Sequence, residues 1–351
     1  MKIAIDAMGG DHAPEAIVEG SLLARSRCSA DLVLVGNETK IREVLSGYPD
    51  ASPMEVVHTV ETVTMEEAGL VAIRRKRAAS ITVCMRLLAE GEVDAVVSAG
   101  NSSATVAAAK YLVGLVPGLR RPTLAVPFPT RSGKPVMLDA GAHPEAGTVH
   151  LAQSAALAHA YLNVTEGLTR PRIGLLNIGR EPTKGTRAVR RAYGLLKRSS
   201  LHFIGNVEPH DLFADLADAV VCEGFVGNVV LKMYEGFSET LIRDLRARIE
   251  AGGSNPGLEK IFEGFDQTYH YRRVGGAPLL GVAKPVIIAH GRSRGEAFSN
   301  AVMVAAGMAE QQVCRRMAEK LGEDSALADF KYYNTALILE KLKKKWGFSP
   351  K

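Results

Sequence analysis

The stretch IAIDAMGGDH, Ile3 to His12, begins as an apolar run, stops at Asp6, passes through Gly9 and Gly10, and meets Asp11 and His12. A short apolar run without polar alternation reads as a strand buried on both faces. Two adjacent glycines at its end bare the backbone, so N–H groups can approach an anion. Pro14 suits the first turn of a following helix, with Asp11 or His12 near its cap. A buried strand that runs directly into a helix is the unit of a parallel α/β sheet.

The same unit recurs along the chain. Strands are expected at 2–7, 31–36, 93–98, 123–127, 135–139, 172–177, 201–205, 219–222 and 285–289, and helices at 14–27, 80–90, 103–113, 147–162, 187–198, 227–250 and 296–320. Short β-branched runs separated by helix-period segments predict an α/β fold with a mostly parallel sheet covered on both sides. The 351 residues suit one large unit, or two intertwined subdomains within it. No short repeat and no low-complexity linker divides them.

The strand ends are more informative than the strands. DAMGGDH, VSAGNSS, LDAGAHPE, LNIGREPTKGT, CEGFVGN and AHGRS each follow an apolar run and set glycine beside Asn, Ser, His, Lys or Arg. Ligands of open parallel sheets bind outside the carboxyl ends of strands. Six such loops predict one shared anion-binding crevice rather than six ordinary tight turns. Within SAGNSS, Ser98, Gly100 and Asn101 form a candidate oxyanion cradle, while Ser102 or Ser103 reads equally as a helix cap. NIGREPTKGT groups Asn177, Arg180, Lys184 and Thr186 around Gly179 and Gly185, and Lys184 is the cation expected to face phosphate or a developing oxyanion. In EGFVGNVVLK, Gly224 and Gly227 precede Asn228, which either caps a helix or binds a substrate carbonyl.

Composition narrows the class. Hydrophobic residues make up 46% and charged residues 23%, which suits a large core. A net charge of +5 is too weak to argue for nucleic acid and suits an anionic substrate, an acidic protein or an anionic membrane. Cys28, Cys84, Cys222 and Cys314 form no CxxC pair, so neither a disulfide framework nor a zinc site is expected, and a cytoplasmic setting fits. No signal peptide, membrane-spanning run, GxxxxGK[ST], HExxH or GxSxG is present in the sequence. The charge runs Arg74, Arg75, Lys76, Arg77 and Lys341, Lys343, Lys344, Lys345 are solvated faces or docking sites for an acidic protein or lipid headgroups. Residues 227–270 read as a hairpin of two amphipathic helices, with the apolar stripe Val229, Met233, Phe237, Leu241, Leu245, Ile249, then Leu258, Ile261, Phe262, Phe265. Residues 322–351 read as a basic helix or tail.

Taken together, IDAMGGDHAP, AIRRKRAASITV, DAVVSAGNSSA, LDAGAHPE, GLLNIGREPTKGT, CEGFVGNVVLKMYEG, GGAPLLGV and VIIAHGRSRGEAF resemble, in order over roughly residues 3–310, the bacterial phosphate acyltransferase (PlsX) family. The resemblance implies a three-layer α/β/α sandwich like that of phosphotransacetylases and isopropylmalate dehydrogenases. It implies transfer of a long-chain acyl group from acyl carrier protein to inorganic phosphate, giving acyl phosphate for phospholipid synthesis. It also implies a homodimer, peripheral contact with the inner face of the cell membrane through the helical hairpin, and a downstream glycerol-3-phosphate acyltransferase as partner. No cofactor and no metal are implied. Departures from the family pattern are His143 where GAN is common, Ser102 and Ser103 where NTG is common, and Arg272, Arg273 and Val274 before Gly275.

The expected catalytic residues are Lys184, Asn228 and His12. Phosphate and substrate are expected to meet Asp6, Gly9, Gly10, Asp11, Ser98, Gly100, Asn101, Gly141, His143, Asn177, Gly179, Gly224, Gly227, Gly276 and His290, with the carrier protein docking on Arg74, Arg75, Lys76 and Arg77. A thiolate leaves without a strong acid, and phosphate is already partly dianionic, so positioning and oxyanion stabilisation are the main demands. Direct attack of phosphate on the thioester is the expected route. A short-chain phosphotransacetylase or phosphotransbutyrylase using acyl-CoA, a dehydrogenase of the same fold, and a membrane scaffold are the competing readings.

Overall fold

The computed structural model describes residues 1–49, 51, 53–130, 135–252, 256–269 and 275–323. The tail lysines Lys341 to Lys345, most of the expected 322–351 segment and the Arg272 to Val274 departure lie outside the described residues. The first part of the chain forms β1 (Lys2–Asp6), α1 (Glu15–Arg25), β2 (Asp31–Gly36), α2 (Glu38–Ser46), β3 (Glu55–His58), α3 (Gly69–Arg75), α4 (Ser80–Glu90), β4 (Ala95–Ser98) and α5 (Ser102–Ala108). The second forms β5 (Thr123–Pro127), β6 (Val136–Leu138), α6 (Thr148–Glu166), β7 (Ile173–Leu176), α7 (Arg187–Leu196), β8 (Phe203–Val207), β9 (Ala219–Val221), α8 (Gly224–Ala251) and α9 (Pro256–Tyr269). The chain then returns through β10 (Ala277–Leu280), β11 (Val286–Ile288), α10 (Gly295–Glu310) and α11 (Val313–Glu323).

One sheet holds the strands in the order β3-β2-β1-β4-β11-β10-β5-β6-β9-β7-β8. Its pairings are parallel except at β11–β10, β10–β5 and β5–β6. Those three pairings reverse the sheet. Strands β3, β2, β1, β4 and β11 point one way, and β6, β9, β7 and β8 point the other. The six glycine loops therefore leave from two opposite edges, not from one as the sequence reading assumed.

Alternate residues of each strand enter different cores, as the period of two requires. Ile3 and Ile5 belong to one core with Ile17 of α1, Leu151 of α6 and Phe298 of α10. Ala4 lies on the other face with Ile81 and Met85 of α4, Val106 of α5, and Leu231 and Tyr234 of α8. The result is the mostly parallel, three-layer α/β/α sandwich.

Local differences have physical causes. The strand β3 is a half-buried edge, and β10 is a four-residue antiparallel insert containing Pro278, so neither shows a strong pattern. The expected helix 296–320 is two helices, broken where Gln312 takes φ 52°. The expected 103–113 helix widens into a π-turn over Ala109–Val113. Helix α8 starts three residues earlier than expected, at Gly224. It pairs antiparallel with α9, since the Tyr234 hydroxyl donates to Tyr269 O at 2.6 Å and Arg246 lies 5.1 Å over the Phe262 ring. The expected apolar stripe splits: Phe262 is buried, whereas Val229, Met233 and Phe237 face solvent. No helix among the described residues is long and apolar enough to cross a membrane.

Candidate active site

The ends of β1, β4 and β11 are sewn into one rim. Asp11 N–H donates to Gly291 O at 2.8 Å, and Ala289 N–H donates to Ser98 O at 2.8 Å. A Cβ on Gly9 would stand 2.7 Å from Gly100 N, and one on Gly10, whose φ is +108°, 3.1 Å from Gly291 O. The glycine pair that ends β1 is thus required by backbone packed against backbone. Asp6 braces this rim from inside, accepting hydrogen bonds from Ser80 Oγ at 2.6 Å and Ser98 Oγ at 2.7 Å. Burial raises its carboxyl above the ordinary value, and the two hydroxyls oppose that rise. Asp6 and Ser98 are spent on each other and face inward.

Asn101 is likewise spent. Its Oδ1 caps α5, accepting from Ala104 N at 3.0 Å, while Nδ2 donates to the carbonyls of Thr64 and Glu67 at 2.9 and 2.8 Å. This frees Ser102 from capping, and Ser102 lines a cleft with Met65 from the loop that Asn101 holds.

The opposite rim is built on Asp139, which is fully buried. Its carboxylate accepts from the backbone N–H groups of Leu124, Gly141, Ala142 and His143 at 2.8 to 3.1 Å. Helix α8 sits directly on this loop. A Cβ on Gly224 would stand 2.2 Å from His143 O, and one on Gly227 2.0 Å from Asp139 O. That contact lays Asn228 against Gly141, where a Cβ would be 3.4 Å from the Asn228 side chain. Asn228 lies in the second turn and does not cap the helix; its amide makes no hydrogen bond among the described residues. His143 points away from the cleft, edge-on to His150 at 5.4 Å. Burial, and then the neighbouring His150, push it down to about 4, so it is neutral at neutral pH and supplies no cation for phosphate.

A cleft of about 310 Å³ joins the two rims across the face of β5 and β10. Five of the six glycine loops reach it, through Asp11, Ser102, Gly141, Asn228 and the His290 to Arg292 turn. Leu124, Val126, Ala140, Leu231 and Ile288 give it an apolar wall, and Lys232, Glu235, His290 and Arg292 a polar end. His290 Nδ1 accepts from Arg292 N–H at 3.1 Å, which leaves the ring proton on Nε2, 3.5 Å from a Glu235 carboxylate oxygen.

The sixth loop stays outside. Asn177 clamps it, donating to Lys184 O at 3.1 Å and accepting from Ile178 N–H at 2.8 Å. Gly185 has φ +85° and packs on Asn177. Lys184 is exposed and is not one of the described residues that line the cleft; its loop touches the start of α8 through Thr186 and Glu223 at 3.5 Å. Gly179 belongs to the same loop. His12 is exposed beside the first rim. Gly276 is a packing glycine against Ile287 and Ala301, and its neighbour Gly275 lines the cleft instead. Lys232, Glu235, Arg292 and Met65 were missed. Lys232 and Glu235 are legible only once α8 is known to face the cleft, because they follow Asn228 at i+4 and i+7.

Of the basic run, Arg74, Arg75 and Arg77 are exposed. Lys76 is not available for docking, since it bonds Glu67 Oε2 and Thr62 O at 2.7 Å. Cys84, Cys222 and Cys314 are buried, and burial pushes each thiol up, Cys314 to about 12. None of these three is a poised nucleophile.

A family model described as fatty acid synthesis protein matches residues 1–316. A phosphate acyltransferase of Syntrophobacter fumaroxidans is 59% identical over 99% of both chains. One of Shouchella clausii is 42% identical, covering 92% of this chain and 98% of that one. Among solved structures, a phosphotransacetylase of Streptococcus pyogenes superposes with TM-score 0.59 at 16% identity over 88% of this chain and 94% of the other. A branched-chain phosphotransacylase of Enterococcus faecalis gives 0.53 at 12% over 91% and 99%. The structural likeness shows the fold alone; sequence identity spanning nearly the whole chain shows more, and on it the chain belongs to the fatty acid synthesis protein family of acyltransferases.

Proposed function

We propose that the chain moves a long-chain acyl group from the thioester of acyl carrier protein to inorganic phosphate, for phospholipid synthesis. The observation that carries this reading is a cleft with an apolar wall at one side and an anion-accepting end at the other. Phosphate lies among Ser102, Lys232, His290 and Arg292. The thioester carbonyl lies at Asn228, whose amide donates to the oxyanion as one phosphate oxygen forms its bond to carbon. The C–S bond then breaks, and the thiolate takes the proton that phosphate loses. The buried, high-pKa thiols of Cys84, Cys222 and Cys314 favour this direct attack over an acyl-enzyme. Asp6, Gly9, Gly10, Ser98, Gly100 and Asn101 act by shaping the rim. Lys184 contributes charge and His12 a hydrogen-bond donor from outside the cleft, and unchanged turnover in Lys184→Ala removes the first of those roles.

The carrier protein docks on Arg74, Arg75 and Arg77, beside the loop that presents Met65 to the cleft. In the same reading the exposed Val229, Met233 and Phe237 face is covered by a second copy or by the inner membrane surface, close to the downstream acyltransferase, and the enzyme is otherwise cytoplasmic. Incubation with palmitoyl-carrier protein and labelled phosphate tests the reaction. Labelled acyl phosphate is expected. Equal or faster turnover of a short-chain acyl-CoA favours the phosphotransacetylase alternative, and absence of labelled product with either donor sinks both.

A further inference from the structure

An anion cleft should not be lined with carboxylates, yet Asp11 and Glu235 both line this one. The two differ. Asp11 is exposed, and its side chain makes no hydrogen bond among the described residues. Glu235 is only 16% exposed and is held in place, with the Nε2–H face of His290 at 3.5 Å and His290 itself fixed by the Arg292 backbone. A carboxylate kept this dry and oriented beside Lys232, His290 and Arg292 needs a hydrogen-bond donor opposite it.

Inorganic phosphate brings that donor. At neutral pH it keeps at least one P–O–H group, whereas sulfate keeps none. We propose that Glu235 is the specificity-determining residue of the phosphate site: its carboxylate accepts the P–O–H hydrogen, while Lys232 and Arg292 meet the unprotonated oxygens. His290 is a positioning residue that holds Glu235 in this role. The site then selects phosphate by the hydrogen it carries, and a tetrahedral anion lacking one sets an electronegative atom with no hydrogen against the carboxylate. This rests on the proposed phosphate-dependent reaction, but the choice between anions is a property of binding alone.

The test uses three probes of similar shape: phosphate, sulfate and monofluorophosphate, the last a dianion with fluorine in place of the hydroxyl. Binding is measured by calorimetry on the intact protein without thioester, and inhibition in the acyl-transfer assay. In the wild type, sulfate and fluorophosphate should bind at least about a hundredfold more weakly than phosphate. Glu235→Gln removes the negative charge and puts a donor in place of one of the two acceptor oxygens, so it should shrink that preference by at least about tenfold, while Glu235→Asp should keep most of it. His290→Gln, which retains an N–H near the Nε2 position, should preserve the preference better than His290→Ala. A merely structural Glu235 would weaken all three anions in proportion and leave their ratio unmoved. Wild-type protein that binds fluorophosphate as well as phosphate overturns the proposal even if the variants fail to fold. Phosphate that binds selectively without any acyl transfer would instead leave this assignment standing and remove the reaction.

Discussion

Asn228 lines the cleft, its amide without a hydrogen bond among the described residues, because a buried residue elsewhere fixes the surface it lies on. Asp139 satisfies three backbone N–H groups of its own turn and that of Leu124 in β5. That turn presents a bare backbone at Gly141, and Asn228 lies against it. If Asn228 donates to the thioester oxyanion, Asn228→Ala should lower kcat by about 10² to 10³ and change the phosphate KM little, since one oxyanion donor is lost and no anion contact is. Steady-state kinetics separate the two, and a large KM effect with unchanged kcat would move Asn228 to the phosphate side. His143 makes a second residue-scale prediction. Its pKa is pushed from 6.5 down to about 4 in the folded chain, so the unfolded chain takes up a proton first as the pH falls. The stability that neutral His143 protects is intact above pH 6.5, declines as the pH drops, and is lost by about 4. The loss is about 2 kcal/mol after allowing for solvent screening of a partly exposed ring. His143→Asn should remove that much of the slope in urea midpoints measured between these limits, and identical slopes in both proteins would disprove it.

Helix α8 does more for the site than any other element, and the chemistry that seats it is two glycines. Gly224 and Gly227 have no room for a side chain, since the nearest atoms are carbonyl oxygens of the Asp139 to His143 turn. Backbone cannot rotate aside as a side chain can. Gly227→Ala must therefore lift the first turns of α8, at a cost of about 1 to 3 kcal/mol. Asn228, Lys232 and Glu235 are all on this helix, so the same displacement should reduce kcat and raise the phosphate KM together. Gly236→Ala is the comparison, because a Cβ at Gly236 meets nothing within 4 Å. It should leave both constants unchanged and, as a helix-interior glycine replaced, raise stability by a few tenths to about 1 kcal/mol. If the two variants behave alike, close seating of α8 is not what places the site.

Over the whole molecule, the fold and the two rims were legible in the sequence to different degrees. Strands buried on both faces, such as AVVS at β4, announce themselves through unbroken apolar runs, and the glycine loops mark their ends. What local pattern cannot encode is direction. Three antiparallel pairings around β10 and β5 turn half the sheet over, so LNIGREPTKGT, the loop with the richest local chemistry, leaves from the second edge, and following β7, two strands farther out than β6, it does not line the cleft. Conversely, Glu235 and Arg292 looked like ordinary polar residues until α8 and the β11 loop closed on each other. The same three-dimensional closure puts the basic run near the cleft: Asn101 ties down the carbonyls of Thr64, Met65 and Glu67, and Glu67 in turn holds Lys76. Arg74, Arg75 and Arg77 are exposed around Lys76, which is turned inward as a clamp. If an acidic carrier docks on this face, the exposed positive charge steers its approach, and salt screens that attraction over about 10 Å at 0.1 M. Reversing Arg74, Arg75 and Arg77 to Glu should raise the carrier-protein KM by about tenfold or more and flatten its rise with salt, while a small acyl thioester, which needs no docking, keeps its KM. Lys76→Glu should behave differently, since it sets a carboxylate against Glu67 and loosens the Met65 loop, so both donors should suffer. Equal loss for both donors in the triple variant would place the arginines in loop architecture instead of carrier recognition.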